Sequence, residues 1–316
     1  MQMFLSNMAV AAEQVAILYL IVAVGFIADK FGIFNEKTAK LCTGLLLNIV
    51  TPFKIIESFF TLEYSAENTK NLFAALGCGF LLHAISAVIS TFVFNRAPKD
   101  KACLFKYASA YGNCGYMGLP LANAVFGSEG VFFCSAVIVS FQMFCFTHGV
   151  YLMTKDKAEG KEKINLKKLF LNPGVLSVAV GLPIYLLGIE LPEFIVSPVA
   201  QIGSLNTPFA MLIFGTYIAN TNFRTIFQEW RTLGVAGIKL ILLPLLMLGL
   251  LRLLGVSGAL LGSVLIPASA PPATNTAIFA AKYERNTGLA SQIVSVVSIM
   301  SIVTMPVMIA LSQTSW

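Results

Sequence analysis

Charge is what this chain has least of. Of its 316 residues only 11% are Asp, Glu, Lys or Arg, 57% are hydrophobic, and the mean hydropathy is +0.81. Soluble domains carry about 25% charged residues, so the composition excludes an ordinary soluble fold and points to an integral membrane protein. Aspartate is missing from every long apolar run, which argues against a cation/proton antiporter built on paired membrane acids and against an intramembrane aspartyl protease. His-Glu-x-x-His, Gly-x-Ser-x-Gly and the phosphate-cradling P-loop are absent, so the chain does not read as an enzyme or as an ATP-driven pump by itself. The six cysteines (Cys42, Cys78, Cys103, Cys114, Cys134, Cys145) never form Cys-x-x-Cys and all sit in apolar runs. They read as small buried hydrophobes, with no metal site and no cofactor implied. No basic stretch precedes the first apolar run, which therefore reads as a retained helix and not a cleaved signal. The net charge of +6 does not imply a nucleic-acid partner, because the lysines lie in loops between apolar runs.

What is present is a series of apolar segments. A membrane helix needs about 20 mostly apolar residues, and ten stretches qualify: Gln14–Ala28 with its flanks, Leu41–Phe60, Leu72–Phe94, Ala102–Phe126, Val131–Met153, Val175–Leu191, Ile195–Ala219, Leu233–Leu254, Val256–Ala281 and Leu289–Leu311. None reads as strand. The expected fold is all-α and integral to the bilayer, with ten transmembrane helices.

Basic residues set the orientation. Lys30, Lys37 and Lys40 fall in the first loop, Arg96, Lys99, Lys101 and Lys106 in the third, and Lys155, Lys157, Lys161, Lys163, Lys167 and Lys168 in the fifth. Arg224 and Arg231 follow in the seventh, Lys282 and Arg285 in the ninth. The odd loops are then cytoplasmic and both termini extracytoplasmic, in a multi-pass protein of the plasma membrane. The fifth loop, 155–171, reads as a solvated connector, with a regulatory or lipid-binding role as the alternative.

Two segments carry helix breakers in their middle. The fourth contains Tyr111-Gly112-Asn113-Cys114-Gly115-Tyr116-Met117-Gly118-Leu119-Pro120, and the ninth contains Pro267-Ala268-Ser269-Ala270-Pro271-Pro272-Ala273-Thr274-Asn275. Glycine and proline both disfavour helix interiors. In lipid a broken backbone is tolerated only where protein or a water-filled cavity covers it. The two halves also repeat. Val22-Ala23-Val24-Gly25 recurs as Val178-Ala179-Val180-Gly181, Gly32-Ile33 as Gly188-Ile189, and Thr51-Pro52-Phe53 as Thr207-Pro208-Phe209, each 156 residues later. The same offset carries Tyr116 onto Pro272. Five helices per repeat is an odd number, so the repeats are inverted, which is the arrangement in which secondary transporters place substrate between interrupted helices near mid-membrane. The halves are 1–154 and 173–316, joined by a cytoplasmic connector, 155–172.

Half-helix N-termini offer amide donors and partial positive charge, an anion site that needs no arginine. Pro120 and Pro272 are each expected to open a new half-helix. The candidate substrate-binding residues are Asn113, Gly115, Tyr116, Gly118, Pro120, Pro271, Pro272, Thr274 and Asn275. Asn113 and Asn275 supply amides for a carboxylate or a water, or they only satisfy backbone freed by the breaks. Ionisable groups within the spans are functional candidates by default. His83 and His148 are candidate proton carriers or support residues, or plain hydrogen-bonding residues. Lys54 and Glu57, three apart, can pair with each other, and Lys239 is expected near the cytoplasmic end, snorkelling.

These residues carry a resemblance. Asn113-x4-Gly118-Leu119-Pro120, followed by Phe126-Gly127-Ser128-Glu129-Gly130, resembles the fourth-helix motif of the auxin efflux carrier family. Pro272-Ala273-Thr274-Asn275-Thr276 and Ala280-Ala281-Lys282-Tyr283 are similar to its ninth-helix motif. Leu289-Ala290-Ser291, Ser298-Ile299-Met300-Ser301 with Pro306, and Leu46-Leu47-Asn48-Ile49-Val50-Thr51-Pro52 extend the likeness. The short central loop is like that of the bacterial members, the malonate- and malate-type permeases related to plant PIN auxin carriers. The resemblance implies a scaffold of helices 1, 2, 6 and 7 that dimerises. Helices 3–5 and 8–10 would form a transport domain moving as an elevator, with organic anions as substrates. It puts Asn113 at the family's crossover asparagine and Pro120 and Pro272 at the crossover prolines. It departs in the third helix, where His83 stands at a position that in plant members invites a search for an acidic support residue.

The leading expectation is a secondary carrier of small carboxylates, auxin-like acids among them. Alternatives are a carrier of another small solute, coupled to sodium or protons, and a non-transporting membrane sensor.

Overall fold

The computed structural model describes residues 2–155, 170–220 and 229–314. Among them the chain is helical, without a strand and with a single isolated antiparallel bridge. Four helices precede the first break: α1 (Gln2–Lys30), α2 (Lys37–Thr61), α3 (Ala66–Val93) and α4 (Lys99–Ala110). After the break come α5 (114–126) and α6 (128–154), which are helical in continuity except at Gly127. The second half holds α7 (Pro173–Leu186), α8 (Glu193–Ala219), α9 (Arg231–Leu253), α10 (Gly258–Ser269), α11 (Asn275–Lys282) and α12 (Thr287–Gln313). By length and apolar composition, six helical stretches among the described residues can cross a bilayer: α2, α3, the α5–α6 run, α8, α9 and α12. The helices α7 and α10 are apolar but shorter. The lysine-rich connector at 156–169 and Arg224 lie outside the described residues.

Helix starts follow their caps. Ser65 accepts from the Asn68 amide, Asn172 from Gly174 and Asn286 from Leu289, so each of these side chains satisfies a donor that the first helical turn leaves open. The α5–α6 run is 41 residues long, which as a straight rod is about 60 Å, roughly twice the hydrocarbon thickness. It does not run straight. Gly127 has φ 59 and ψ −147, a conformation that glycine adopts without strain, and Gly130 is brought against the carbonyl of Ala122. Ser263 of α10 donates to the Gly130 carbonyl at 3.2 Å and ties the fold-back to the second half.

The two halves interlock through α1, α2, α7 and α8. The helix α1 packs along α8 so closely that a side chain at Gly25 would meet the Leu212 carbonyl, and one at Gly215 the Val22 carbonyl. Membrane helices associate by such backbone approach, because lipid leaves little hydrophobic drive between them. The helix α2 lies on α7 and α8: Phe59 covers Gly181, and the Asn206 amide donates to Thr51 Oγ1 at 2.8 Å. The expected Lys54–Glu57 pair forms at 3.1 Å, over Gly203. On the other face α3 packs against α6, and α5 and α6 against α10.

At the ends where α4 and α9 begin, Glu229 takes Lys101 at 2.9 Å and Arg231 at 3.1 Å. Burial alone would raise the Glu229 carboxyl. The hydrogen bonds and charges of Lys101 and Arg231 outweigh it and hold that carboxyl below its ordinary range. Lys106, expected in a loop, is instead buried within α4.

The α1–α8 contact gives a direct test. Gly215→Val should cost about 1–3 kcal/mol by overpacking, read as a lower melting temperature of the detergent-solubilised protein. Adding Gly25→Val should cost less than the sum of the two, since both side chains enlarge one gap.

Candidate functional site

The helix α4 stops at Ala110 and Tyr111 is extended, with φ −113 and ψ 110. Helical turns resume at Cys114, after Asn113, whose Oδ1 accepts from the Tyr116 amide at 3.2 Å. In the second half α10 ends at Ser269, and α11 begins at Asn275. Between the helix ends, Gly112 faces Pro272 in the antiparallel bridge. The Asn113 amide donates to the Pro271 carbonyl at 2.7 Å and the Ala273 amide to the Tyr111 carbonyl at 2.9 Å. In this pairing the flanking residues exchange the hydrogen bonds and the facing pair uses none of its own amides. Proline is therefore harmless at 272, where a ladder position needing its amide would exclude it.

The residue facing Pro272 is Gly112, a pairing on which the repeat offset is silent. One detail differs from the sequence expectation. Pro272 does not open a half-helix, and Pro120 stands in the first turn of the α-helical stretch from Leu119 but not at the point where helical turns resume. The chain re-enters helix at Cys114 through a π-helical turn, Cys114–Gly118, and Pro120 follows that turn; Pro272 lies in the extended link before Asn275. The wide turn disposes of the amide that Pro120 lacks.

A cavity of about 190 Å³ opens beside the bridge. Gly112, Asn113, Cys114, Gly115 and Tyr116 line it from the first break, and Ala273, Thr274 and Asn275 from the second. Across from them stand Asn48 and Thr51 of α2 and Asn172 at the start of α7, with Phe141, Gln142 and Phe146 of α6 closing the side. Three helix starts thus open on one space: α5 at Cys114, α7 at Pro173 and α11 at Asn275. Among the described residues the polar side chains lining it are neutral amides and hydroxyls. The Gln142 Oε1 is buried with no hydrogen-bond partner, a donor-seeking group at the wall. Asn275 Nδ2 reaches Cys145 Sγ at 3.6 Å. A second, smaller cavity of about 20 Å³ touches Asn113, Tyr116 and Thr274 from the side of α8 and α12.

Of the expected residues, Asn113, Gly115, Tyr116, Thr274 and Asn275 meet at the larger cavity, while Gly118, Pro120, Pro271 and Pro272 shape the breaks without lining it. His83 and His148 line neither cavity. His83 is buried, with Nδ1 at 2.7 Å from the Gly79 carbonyl, and stacks on Tyr111. His148 Nδ1 lies 2.7 Å from the Tyr111 hydroxyl. Sequence reasoning missed Gln142 and Asn172 as cavity residues. A glutamine amid apolar residues and an Asn-Pro-Gly helix start were the available signals.

Lys239 corrects an expectation. It does not snorkel: it is 1% exposed, and its ammonium donates to the Ala268 carbonyl at 3.1 Å, at the second break. The helix α9 faces the protein interior at this turn, so no path to the interface is open to the side chain. A methyl group on Gly112 would come within 2.8 Å of both Lys239 Nζ and the Pro267 carbonyl oxygen. Gly112→Ala should therefore destabilise the protein by about 1–3 kcal/mol, measured as a fall in melting temperature. An unchanged melting temperature would disprove the close approach.

Comparison with known proteins identifies the family. The family model described as "Membrane transport protein" matches residues 10–309. A protein of Methanocaldococcus jannaschii named as an uncharacterized transporter is 23% identical over 284 residues, covering 86% of this chain and 89% of its own. An uncharacterized transporter of Methanothermobacter thermautotrophicus is 24% identical over 309 residues, 94% of this chain and 96% of its own. With broken apolar helices that meet at a polar cavity, and with the family model spanning nearly its whole length, the chain belongs to the auxin efflux carrier family of membrane transport proteins.

Proposed function

We propose that this transporter is a secondary carrier that moves small organic anions, carboxylates including auxin-like acids, across the plasma membrane. The observation that carries the reading is the convergence of three helix starts on one neutral, amide-lined cavity. Helix N-termini attract anions through unpaired amides and the positive end of the helix dipole. A carboxylate needs donors, and the side-chain amides of Asn113 and Asn275 supply them without an ion pair that would hold the solute too tightly to release. At about 190 Å³ the space equals roughly six water volumes, suited to a small acid.

The proposed topology has ten spans in two inverted five-helix repeats. α4 with α5 makes the fourth span and α10 with α11 the ninth. The cavity separates α2 and α7 from α5, α6 and α11, which supports a division into a scaffold (α1, α2, α7, α8) and a transport domain of the remaining helices. Movement of one past the other as an elevator would expose the cavity alternately, with both termini extracytoplasmic. The helix α1 turns Ile17, Leu20, Val24 and Ile27 outward, an apolar face suited to lipid or to a second scaffold in a homodimer.

A second reading, a carrier of a neutral solute on the same frame, is favoured by the lack of any charged side chain at the wall among the described residues. One variant separates the two. Asn113→Asp keeps an oxygen to cap the Tyr116 amide, so the fold should survive, but it replaces a donor with negative charge. Carboxylate affinity, followed by thermal shift, should fall at least tenfold, about 1.4 kcal/mol, and vesicle flux should fall with it. Unchanged carboxylate affinity removes Asn113 from the site, and tight binding of neutral amides by both forms selects the second reading.

A further inference from the structure

Lys239 is an ammonium buried among α4, α9 and α10 with no carboxylate within ion-pair distance among the described residues. Such a charge is costly unless something compensates it, and in a membrane protein it calls for a function. Its hydrogen bond goes to a carbonyl oxygen, that of Ala268, with the Cys114 thiol and the His83 ring also near. In α10 the carbonyls of Pro267 and Ala268 would ordinarily accept from the amides four residues on. Those residues are Pro271 and Pro272, which have no amide hydrogen. The diproline therefore strips the donors from two adjacent carbonyls at a helix C-terminus, where the dipole is already negative. The Lys239 head sits there, donating to Ala268 O at 3.1 Å, and it shares with the Pro267 oxygen the space that a Cβ on Gly112 would fill. Gly112 leaves the room that the ammonium fills.

The geometry points to Lys239 as a built-in cation: its ammonium, tethered on α9, occupies a seat of bare helix-end carbonyls that would otherwise need a free cation such as sodium. The seat lies behind Gly112, whose front lines the cavity. Its fixed positive charge also biases that cavity toward anions without touching the solute. Lys239 is thus a positioning residue. The seat stands independently of the carboxylate reading, and only the expectation of sodium-independent solute binding rests on it.

The test uses the full-length protein in detergent. The wild type should melt at the same temperature in sodium chloride and in choline chloride, and any carboxylate it binds should bind equally in both. Lys239→Ala and Lys239→Gln should both lower the melting temperature. For Lys239→Ala, 100 mM methylammonium or sodium, but not choline, should restore at least half of the loss. Wild-type stability that rises with sodium overturns the proposal, as does a Lys239→Gln protein as stable as the wild type or a folded Lys239→Ala that no small cation rescues. Should neither variant fold, the wild-type sodium comparison decides alone. If the wild type binds no carboxylate, the functional reading fails while the cation arms still judge the seat.

Discussion

Two backbone hydrogen bonds, Asn113 to Pro271 and Ala273 to Tyr111, hold the middle of this protein together. They are made where four helix ends meet, and the need for them comes from the solvent. A soluble protein can let water finish an interrupted helix; a lipid-embedded one cannot. Each broken helix here completes the other, so neither break is tenable alone. The side chains at the junction then follow from backbone needs. Gly112 admits a close neighbour, Pro272 occupies a position that asks for no amide, and Asn113 caps the turns that restart the helix.

Once the breaks are paired, chemistry follows from polarity. Helix starts and helix ends meet at one junction, and they separate by sign. The starts at Cys114 and Asn275 open on the cavity, joined there by the start of α7. The end of α10 turns to Lys239. A neutral-walled cavity and a buried ammonium are two sides of one arrangement, in which main-chain dipoles do work that soluble proteins assign to charged side chains.

Much of this was legible in the sequence. Low charge and long apolar runs fixed the class, and clustered glycine and proline located both breaks to within a few residues. The family resemblance rested on those same residues. What stayed hidden was register and facing. A 156-residue repeat offset cannot say that Gly112 sits opposite Pro272, because facing depends on how two chains cross, not on how they align. Pro120 looked like a helix start because proline favours that position. A π-helical turn begins the helix earlier and leaves Pro120 downstream. Lys239 was misjudged because distance along the chain from a span's end says nothing of which way its helix face turns. The diproline four residues past Pro267 and Ala268 was the written sign of bare carbonyls, and its meaning appears only once a cation is found beside them.

The cavity wall has mixed ownership. Asn48, Thr51 and Asn172 stand on helices of the proposed stationary frame, whereas Asn113, Gln142, Thr274 and Asn275 ride on the part proposed to travel. A slide of one helical pitch, about 5.4 Å, would leave the first set behind and strip the passenger of three of these seven polar hosts. Loosening of grip would then be written into the stroke itself, and letting go at the far side would need no separate trigger.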